Sequence, residues 1–338
     1  MLKFLRKNHQ LFILFIIFYC LISVISVYII TYYRPVLKLQ FGLPILSDLF
    51  GNILSSNGVK LFSLVFTIIS LLFIGFYIVR ISVNYIIIQY RTQFPAIFYI
   101  SICSFVFFQE LFSPAIIGAI FLLITVNRLI SSIDDQDYSF KYIDAGILVA
   151  IGSFFYFNLI FFFPFLLISQ VILRKFNVRE FLFIIVGIMI SFLYLFSMFF
   201  LFNQSIPEII RRIYNQIVLK NEIILSPIFL YGLTAYLVFL IFASFFAIRK
   251  YTSAKIQSRK LYQLLLYLFL NALAVFIFIP SAGSELFYII AIPSSVLFSI
   301  YFSECRGNLI NDFIFILLLL TPIGILFINN WFHYWLIL

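Results

Sequence analysis

The sequence predicts an all-α protein, a polytopic transmembrane helix bundle of about eleven spans, from three observations. Of its 338 residues, 64% are hydrophobic and only 10% are charged, whereas an ordinary soluble domain is about 25% charged. Apolar runs recur along the chain at lengths near the roughly 20 residues that a spanning helix needs. Basic residues fall in short segments between these runs. We therefore expect residues 1–338 to form a single integral membrane domain.

Eleven apolar runs mark the expected spans. The first follows three basic residues, as in a signal peptide, but it is too long for the apolar core of one, so an uncleaved span is expected. The runs are Leu11–Tyr32, Leu61–Arg80, Phe94–Phe108, Pro114–Ile133, Ala145–Phe157, Leu159–Leu173, Phe181–Phe202, Leu225–Ile248, Tyr262–Pro280, Leu286–Phe302 and Leu309–Ile328.

The fifth and sixth runs allow two interpretations. Residues 145–173 fit either one long tilted helix or two short helices that meet near Asn158, with Pro164 shortly after the junction. The distribution of positive charge favours the two short helices, because merging them would reverse the orientation of every later span.

The basic residues predict the orientation, since short cytoplasmic loops are enriched in Lys and Arg. With a cytoplasmic N-terminus, sixteen of the 22 basic residues fall on the cytoplasmic side and six on the outer side. The sequence therefore predicts a multi-pass protein of a bacterial inner membrane, with its N-terminus inside and its C-terminus outside. The net charge of +10 follows from this topology, so a nucleic-acid partner is not expected.

The first predicted outer loop carries an acid. In residues 41–54, apolar side chains recur at helical spacing, which indicates a short helix lying in the membrane interface, with Asp48 on its polar side. Glu110 lies at the same outer boundary, between the third and fourth runs. Carboxylates in such positions can act as general bases, so Asp48 and Glu110 are the candidate catalytic residues.

A second interfacial helix is predicted over residues 205–220. Ser205 and Glu208 have the spacing of a capping box, and Arg211 and Arg212 lie on the polar face. An arginine can donate two hydrogen bonds to one phosphate, although contact with lipid head groups would also explain the pair. Glu285 precedes the tenth run at the same side, where capping of the helix dipole is the alternative explanation.

No metal site or cofactor is evident in the sequence. The three cysteines and two histidines are isolated from one another and have no paired spacing. A divalent cation at the outer carboxylates is left open.

In layout the chain resembles the GT-C superfamily, the polytopic glycosyltransferases that use polyprenyl-phosphate sugars. Asp48 matches the outer acid of the first loop and Glu110 the acid of the next outer loop. Residues 145–173 match a short pair of spans in mid-chain, and residues 285–294 resemble a stretch before a late span that ends in proline. The chain also resembles uncharacterised multi-spanning inner-membrane families of bacteria.

The GT-C resemblance implies a reaction and a role for each candidate residue. Asp48 would be the general base that activates an acceptor hydroxyl, and Glu110 would position the acceptor or a divalent cation. Arg211 and Arg212 would hold the lipid phosphate, beside Glu208 and Glu285. The expected partners are membrane lipids, including a polyprenyl-phosphate sugar.

Two function classes remain open from the sequence. One is a GT-C-like glycosyltransferase of the outer face. The other is a non-enzymatic scaffold or assembly subunit of an envelope complex, which would have membrane-protein partners and whose charges would serve topology alone. A transporter is disfavoured because the sequence shows no internal repeat.

Overall fold

A computed structural model describes residues 9–32, 56–88, 92–105, 113–133, 139–174, 177–201, 211, 214, 227–253, 256–305 and 308–337. Within these ranges all regular structure is helical, which confirms the all-α class. The longer helices are α1 (His9–Tyr32), α2 (Ser56–Asn84), α3 (Phe94–Cys103), α4 (Ala115–Ser131), α5 (Ser139–Phe155), α6 (Phe163–Leu173), α7 (Val178–Leu201), α8 (Pro227–Ser253), α9 (Ile256–Phe278), α10 (Phe287–Glu304) and α11 (Leu309–Ile337).

Each of these eleven helices coincides with one of the apolar runs. Five segments are long and apolar enough to cross a membrane, namely Phe62–Asn84, Val178–Met198, Tyr231–Arg249, Ser258–Phe278 and Ser284–Glu304. The other apolar helices are shorter. A multi-helix membrane protein therefore fits the chain, while the number of spans and their orientation stay predictions.

The two-helix interpretation of residues 145–173 is confirmed. Helix α5 ends at Phe155, a 3₁₀ helix follows over Phe157–Phe162, and α6 begins at Phe163. Pro164 lies in the first turn of α6, where a proline fits because the N–H it lacks has no partner within the helix. A second 3₁₀ helix, Ser284–Leu286, precedes α10.

The two predicted interfacial helices lie almost entirely outside the described residues. Residues 41–54 are not among them, and from the second helix only Arg211 and Tyr214 are described, both helical and exposed.

Helices α3 and α10 form the centre of the bundle. All ten residues of α3 are buried, and α10 is apolar on every side, as a helix enclosed by others must be. The serine hydroxyls inside α10 donate hydrogen bonds to backbone carbonyls of the same helix. Ser294 Oγ, for example, donates to Ile290 O at 2.8 Å. Between the two helices, the rings of Phe98 and Phe302 stack with centroids 5.1 Å apart.

Helices α5 and α7 cross with their backbones in direct contact. A β-carbon added at Gly146 would overlap the carbonyl oxygen of Ile184, and one added at Gly187 would overlap that of Ile143. Small residues allow such close approach between membrane helices, which associate through packing rather than hydrophobic burial. The two glycines therefore fix where α5 and α7 cross.

The bundle has two polar ends. Lys141, Arg174 and Lys260 lie together at one, named here the Arg174 end. Lys141 Nζ donates to Ser131 O at 2.8 Å, Arg174 Nη2 to Ser132 O at 2.8 Å, and Lys260 Nζ to Leu173 O at 2.6 Å. All three acceptors are carbonyls at helix C-termini, where cations are favoured.

The opposite, Glu285 end contains the junction of α5 with the 3₁₀ helix and the segment between α9 and α10. Arg128, Lys141, Arg174, Arg179 and Lys260 share the Arg174 end, whereas Lys60 lies near the start of α2. Which end faces the cytoplasm stays a prediction from the positive-inside rule.

Candidate functional site

Two of the six predicted site residues are described by the structure. Asp48, Glu110, Glu208 and Arg212 lie outside the described residues, so their proximity stays a prediction. Arg211 is helical with an exposed side chain, and Glu285 is partly buried in the 3₁₀ helix before α10.

Glu285 stands beside a buried polar cluster that the sequence did not single out as a site: Tyr156, Asn158 and Ser281. Ser281 Oγ donates to Asn158 Oδ1 at 2.9 Å, and Asn158 Nδ2 donates to Ser281 O at 3.3 Å. The Asn158 amide also donates to the Tyr156 hydroxyl at 3.3 Å. These bonds tie the 3₁₀ helix to the segment between α9 and α10.

Glu285 lies close enough to Tyr156 for its charge to act on the phenol. The cluster therefore brings a carboxylate, an amide and hydroxyls together, which are the groups that bind hydroxyl-bearing ligands. Both N–H groups of the Asn158 amide are already bonded within the cluster.

Small residues make room for this cluster. A β-carbon at Gly118 in α4 would lie 3.1 Å from Tyr156 Cβ, and one at Gly152 in α5 would overlap the Leu159 side chain. The break between α5 and α6 thus packs closely against its neighbours, and it holds Asn158 in a fixed place. A signal for the cluster was present in the sequence: Asn158 is an isolated amide in an apolar run, where an unpaired polar group is costly.

An apolar groove begins one turn beyond Asn158. It has a volume of about 500 Å³ and lies between the broken segment and α7. Its lining is entirely apolar: Ile160, Phe161, Phe163, Pro164, Ile185, Ile188 and Met189.

A second buried polar group lies inside the bundle, at Pro322 of α11. A proline lacks the N–H that would bond the carbonyl four residues earlier, here that of Leu318. Three side chains supply donors instead: the Tyr236 hydroxyl, Ser101 Oγ at 3.2 Å and Thr321 Oγ1 at 3.2 Å. This arrangement is structural, because it satisfies a backbone carbonyl.

At the Arg174 end, one carboxyl is buried. The Glu180 side chain is 1% exposed and packs near Gln170, which is fully buried. Gln170 Nε2 donates to Asn177 O at 2.6 Å. Gln170 Oε1 and Glu180 Oε2 receive no hydrogen bond from any described residue.

In the part of the chain that the structure describes, no three His, Cys, Asp or Glu side chains lie together as a metal site would require. Arg128 Nε and Asp144 Oδ2 form an exposed pair at 3.9 Å, and such surface pairs contribute little to stability.

Comparison with known proteins places the chain in a family. A family of unknown function, DUF6427, matches residues 37–334. No curated protein and no solved structure matches the chain. The chain belongs to the DUF6427 family.

Proposed function

We propose that this member of the DUF6427 family is a multi-spanning protein of the bacterial inner membrane that acts as a GT-C-like glycosyltransferase, moving a sugar from a polyprenyl-phosphate donor on the outer face. The observation that carries the proposal is the Glu285 end. There the predicted site carboxylate of Glu285 lies near Tyr156, whose hydroxyl accepts from Asn158 of the Asn158–Ser281 pair, and an apolar groove starts one turn away.

The chemistry of this end suits a sugar. Carboxylates bind sugar hydroxyls by charge-assisted hydrogen bonds. The Asn158 amide donates its N–H groups to Tyr156 and Ser281 and accepts from the Ser281 hydroxyl. Its role is therefore to hold the break between α5 and α6 in place near Glu285. Glu285 binds an acceptor or sugar hydroxyl in this account.

The transfer itself is assigned to residues beyond the described part of the chain. Asp48 removes the proton from the acceptor hydroxyl, so that its oxygen attacks the anomeric carbon and the polyprenyl phosphate leaves. Glu110 positions the acceptor or a divalent cation, and Arg211 and Arg212 stabilise the charge on the departing phosphate. Glu208 caps the start of the predicted helix that carries the two arginines.

Complementation of a deletion strain tests the proposal, with lipid extracts as the readout. The test variants are Asp48→Asn and Glu285→Gln, and Asp144→Asn is the matched control because it changes an exposed acid at the Arg174 end. Membrane insertion is checked for each variant by fractionation.

A transferase predicts that the deletion strain accumulates its polyprenyl-phosphate sugar. Asp48→Asn and Glu285→Gln should insert normally and leave that lipid elevated, whereas Asp144→Asn should restore the wild-type level. Full restoration by Asp48→Asn would exclude the proposed base, and the non-enzymatic scaffold of an envelope complex would then be the better account.

A further inference from the structure

A carboxyl and an amide at the Arg174 end are both buried, and each has one acceptor oxygen that lacks a donor. Glu180, in the first turn of α7, is 1% exposed, and Gln170 of α6 is fully buried. The two side chains lie near each other. Among the described residues, neither Glu180 Oε2 nor Gln170 Oε1 receives a hydrogen bond. A buried polar atom without a partner is costly, so this pair requires a donor.

The Gln170 amide cannot supply that donor by turning over. Gln170 Nε2 donates to Asn177 O at 2.6 Å, and a carbonyl oxygen can only accept. A flipped amide would place its own oxygen against Asn177 O. The same carbonyl accepts from the backbone N–H groups of Glu180 and Phe181 at 3.1 and 3.2 Å, so it is held in place by the start of α7. The orientation of the amide is therefore fixed, with Oε1 as an acceptor.

The charged groups around Glu180 have other contacts. Helix α7 packs against α5 and α6, and the charged residues on these elements at this end are Lys141, Asp144, Arg174 and Arg179. The charge of Arg174 acts on Glu180, but its Nη2 donates to carbonyl oxygens at the end of α4. Lys141 also donates to a helix-end carbonyl, Arg179 lies over a phenylalanine ring, and Asp144 faces an arginine. No described cation therefore neutralises an ionised Glu180 by a direct hydrogen bond.

One proton on Glu180 satisfies both oxygens. A protonated carboxyl has an O–H donor, which at Oε2 can bond Gln170 Oε1. The same proton removes the buried negative charge, which is far more costly to bury than an unpaired neutral group. A water molecule could donate to both oxygens, but it would leave the charge in place.

We propose that Glu180 is a proton-binding site, a neutral acid at pH 7 whose O–H bonds Gln170 Oε1 and so locks the turn between α6 and α7. Release of the proton leaves a buried charge beside the amide that holds the Asn177 carbonyl, and the lock opens. In the unfolded chain Glu180 is exposed to water and gives up its proton more readily. The stability that the proton confers is thus present at low pH and lost as the pH rises through the titration of the folded chain.

Infrared spectroscopy of the full chain in lipid vesicles tests this site, because a protonated carboxyl has a C=O stretch separate from the amide and carboxylate bands. Wild type at pH 7 should show an acid band that shifts when the glutamates are isotope-labelled. Glu180→Gln should lower the band by the intensity of one carboxyl. Val178→Gln is the control, because it adds the same amide at a 61% exposed position in the same turn, and it should leave the band unchanged. Gln170→Met removes the acceptor and should shift the band.

Melting midpoints measured from pH 7 upward test the lock. The wild-type midpoint should fall relative to that of Glu180→Gln as the pH rises, because only the wild-type side chain can ionise. Parallel midpoints would overturn the lock. A wild-type spectrum without the glutamate acid band would overturn the proton site and show an ionised Glu180 served by water or another group. If Glu180→Gln does not fold, the isotope shift in wild type and the band of Gln170→Met still decide the question. No arm measures sugar transfer, so failure here is separate from failure of the proposed function.

Discussion

The carbonyl that Pro322 leaves without a helical partner gives the sharpest test of the packing. Tyr236 in α8 donates its hydroxyl to the Leu318 carbonyl, and the Ser101 hydroxyl in α3 lies within hydrogen-bond distance of both groups. Tyr236→Phe removes one of three donors at a buried site. A hydrogen bond between membrane helices is worth about 0.6 kcal/mol on average and ~1.7 at most. We expect a loss of that order in the free energy of unfolding.

The stronger prediction is that the cost of Tyr236→Phe depends on the presence of Pro322. In a Pro322→Ala background, the new backbone N–H bonds the Leu318 carbonyl, so losing the Tyr236 hydroxyl no longer removes a needed donor. A double-mutant cycle over Tyr236→Phe and Pro322→Ala should therefore show a coupling of about 1 kcal/mol, within the range found for residues that share a partner.

Unfolding in mixed micelles of increasing SDS fraction, followed by circular dichroism, measures the four free energies of the cycle. Tyr99→Phe is the matched control, since the Tyr99 hydroxyl also donates to a buried carbonyl, that of Tyr288 at 3.3 Å, but not to the one that Pro322 exposes. Its cost should be the same in both backgrounds. A Tyr236→Phe cost that is equally unaffected by Pro322→Ala would refute the reasoning.

Two further predictions concern the α5–α7 crossing and the Arg174 end. Gly187→Ala should lower the free energy of unfolding by about 1–3 kcal/mol, because the added methyl group meets the backbone of α5. Gly324→Ala is the control: nothing lies within 4 Å of its added atom, so the free energy should change by less than about 1 kcal/mol. Equal effects of the two substitutions in SDS unfolding would contradict the close crossing of α5 and α7. Glu180→Gln should keep or raise thermal stability at pH 7, because its amide replaces the unbonded Glu180 Oε2 with N–H groups that can donate to the unbonded Gln170 Oε1. The reciprocal Gln170→Glu should lower it, and the opposite order of melting midpoints would show that the pair is satisfied by other groups.

The positions of the helices were predictable because hydropathy alone determines where a chain can lie in a bilayer. Even the break within residues 145–173 followed from Asn158, Pro164 and the charge bias. The helix ends were less predictable. Helix α8 continues to Ser253, five residues beyond the end of its apolar run, since polar residues can stay helical outside the hydrocarbon region.

The packing could not be derived from the sequence. Gly146 and Gly187 lie in different apolar runs, and nothing in either run shows that the two face each other. Tyr236 and Ser101 likewise meet the Leu318 carbonyl only because α3, α8 and α11 converge. Such contacts depend on which helices are neighbours, which neither hydropathy nor charge reports.

For the candidate site, the sequence identified Glu285 but not the three residues beside it. Tyr156 and Ser281 are 125 positions apart in the chain and lie at helix ends, where polar residues are common. Asn158 was the one informative signal, because a buried amide within an apolar run requires a partner. Its partner, Ser281, became known only from the fold.

The central claim is that the candidate site faces the outside of the cell, and cysteine labelling tests it most directly. In a background with Cys20, Cys103 and Cys305 replaced by serine, Arg211→Cys reports the predicted outer side and Arg128→Cys the Arg174 end; both native side chains are exposed. A membrane-impermeant maleimide should label Arg211→Cys in intact spheroplasts and Arg128→Cys only after permeabilisation. The reverse pattern would place the candidate site in the cytoplasm and contradict a transferase of the outer face.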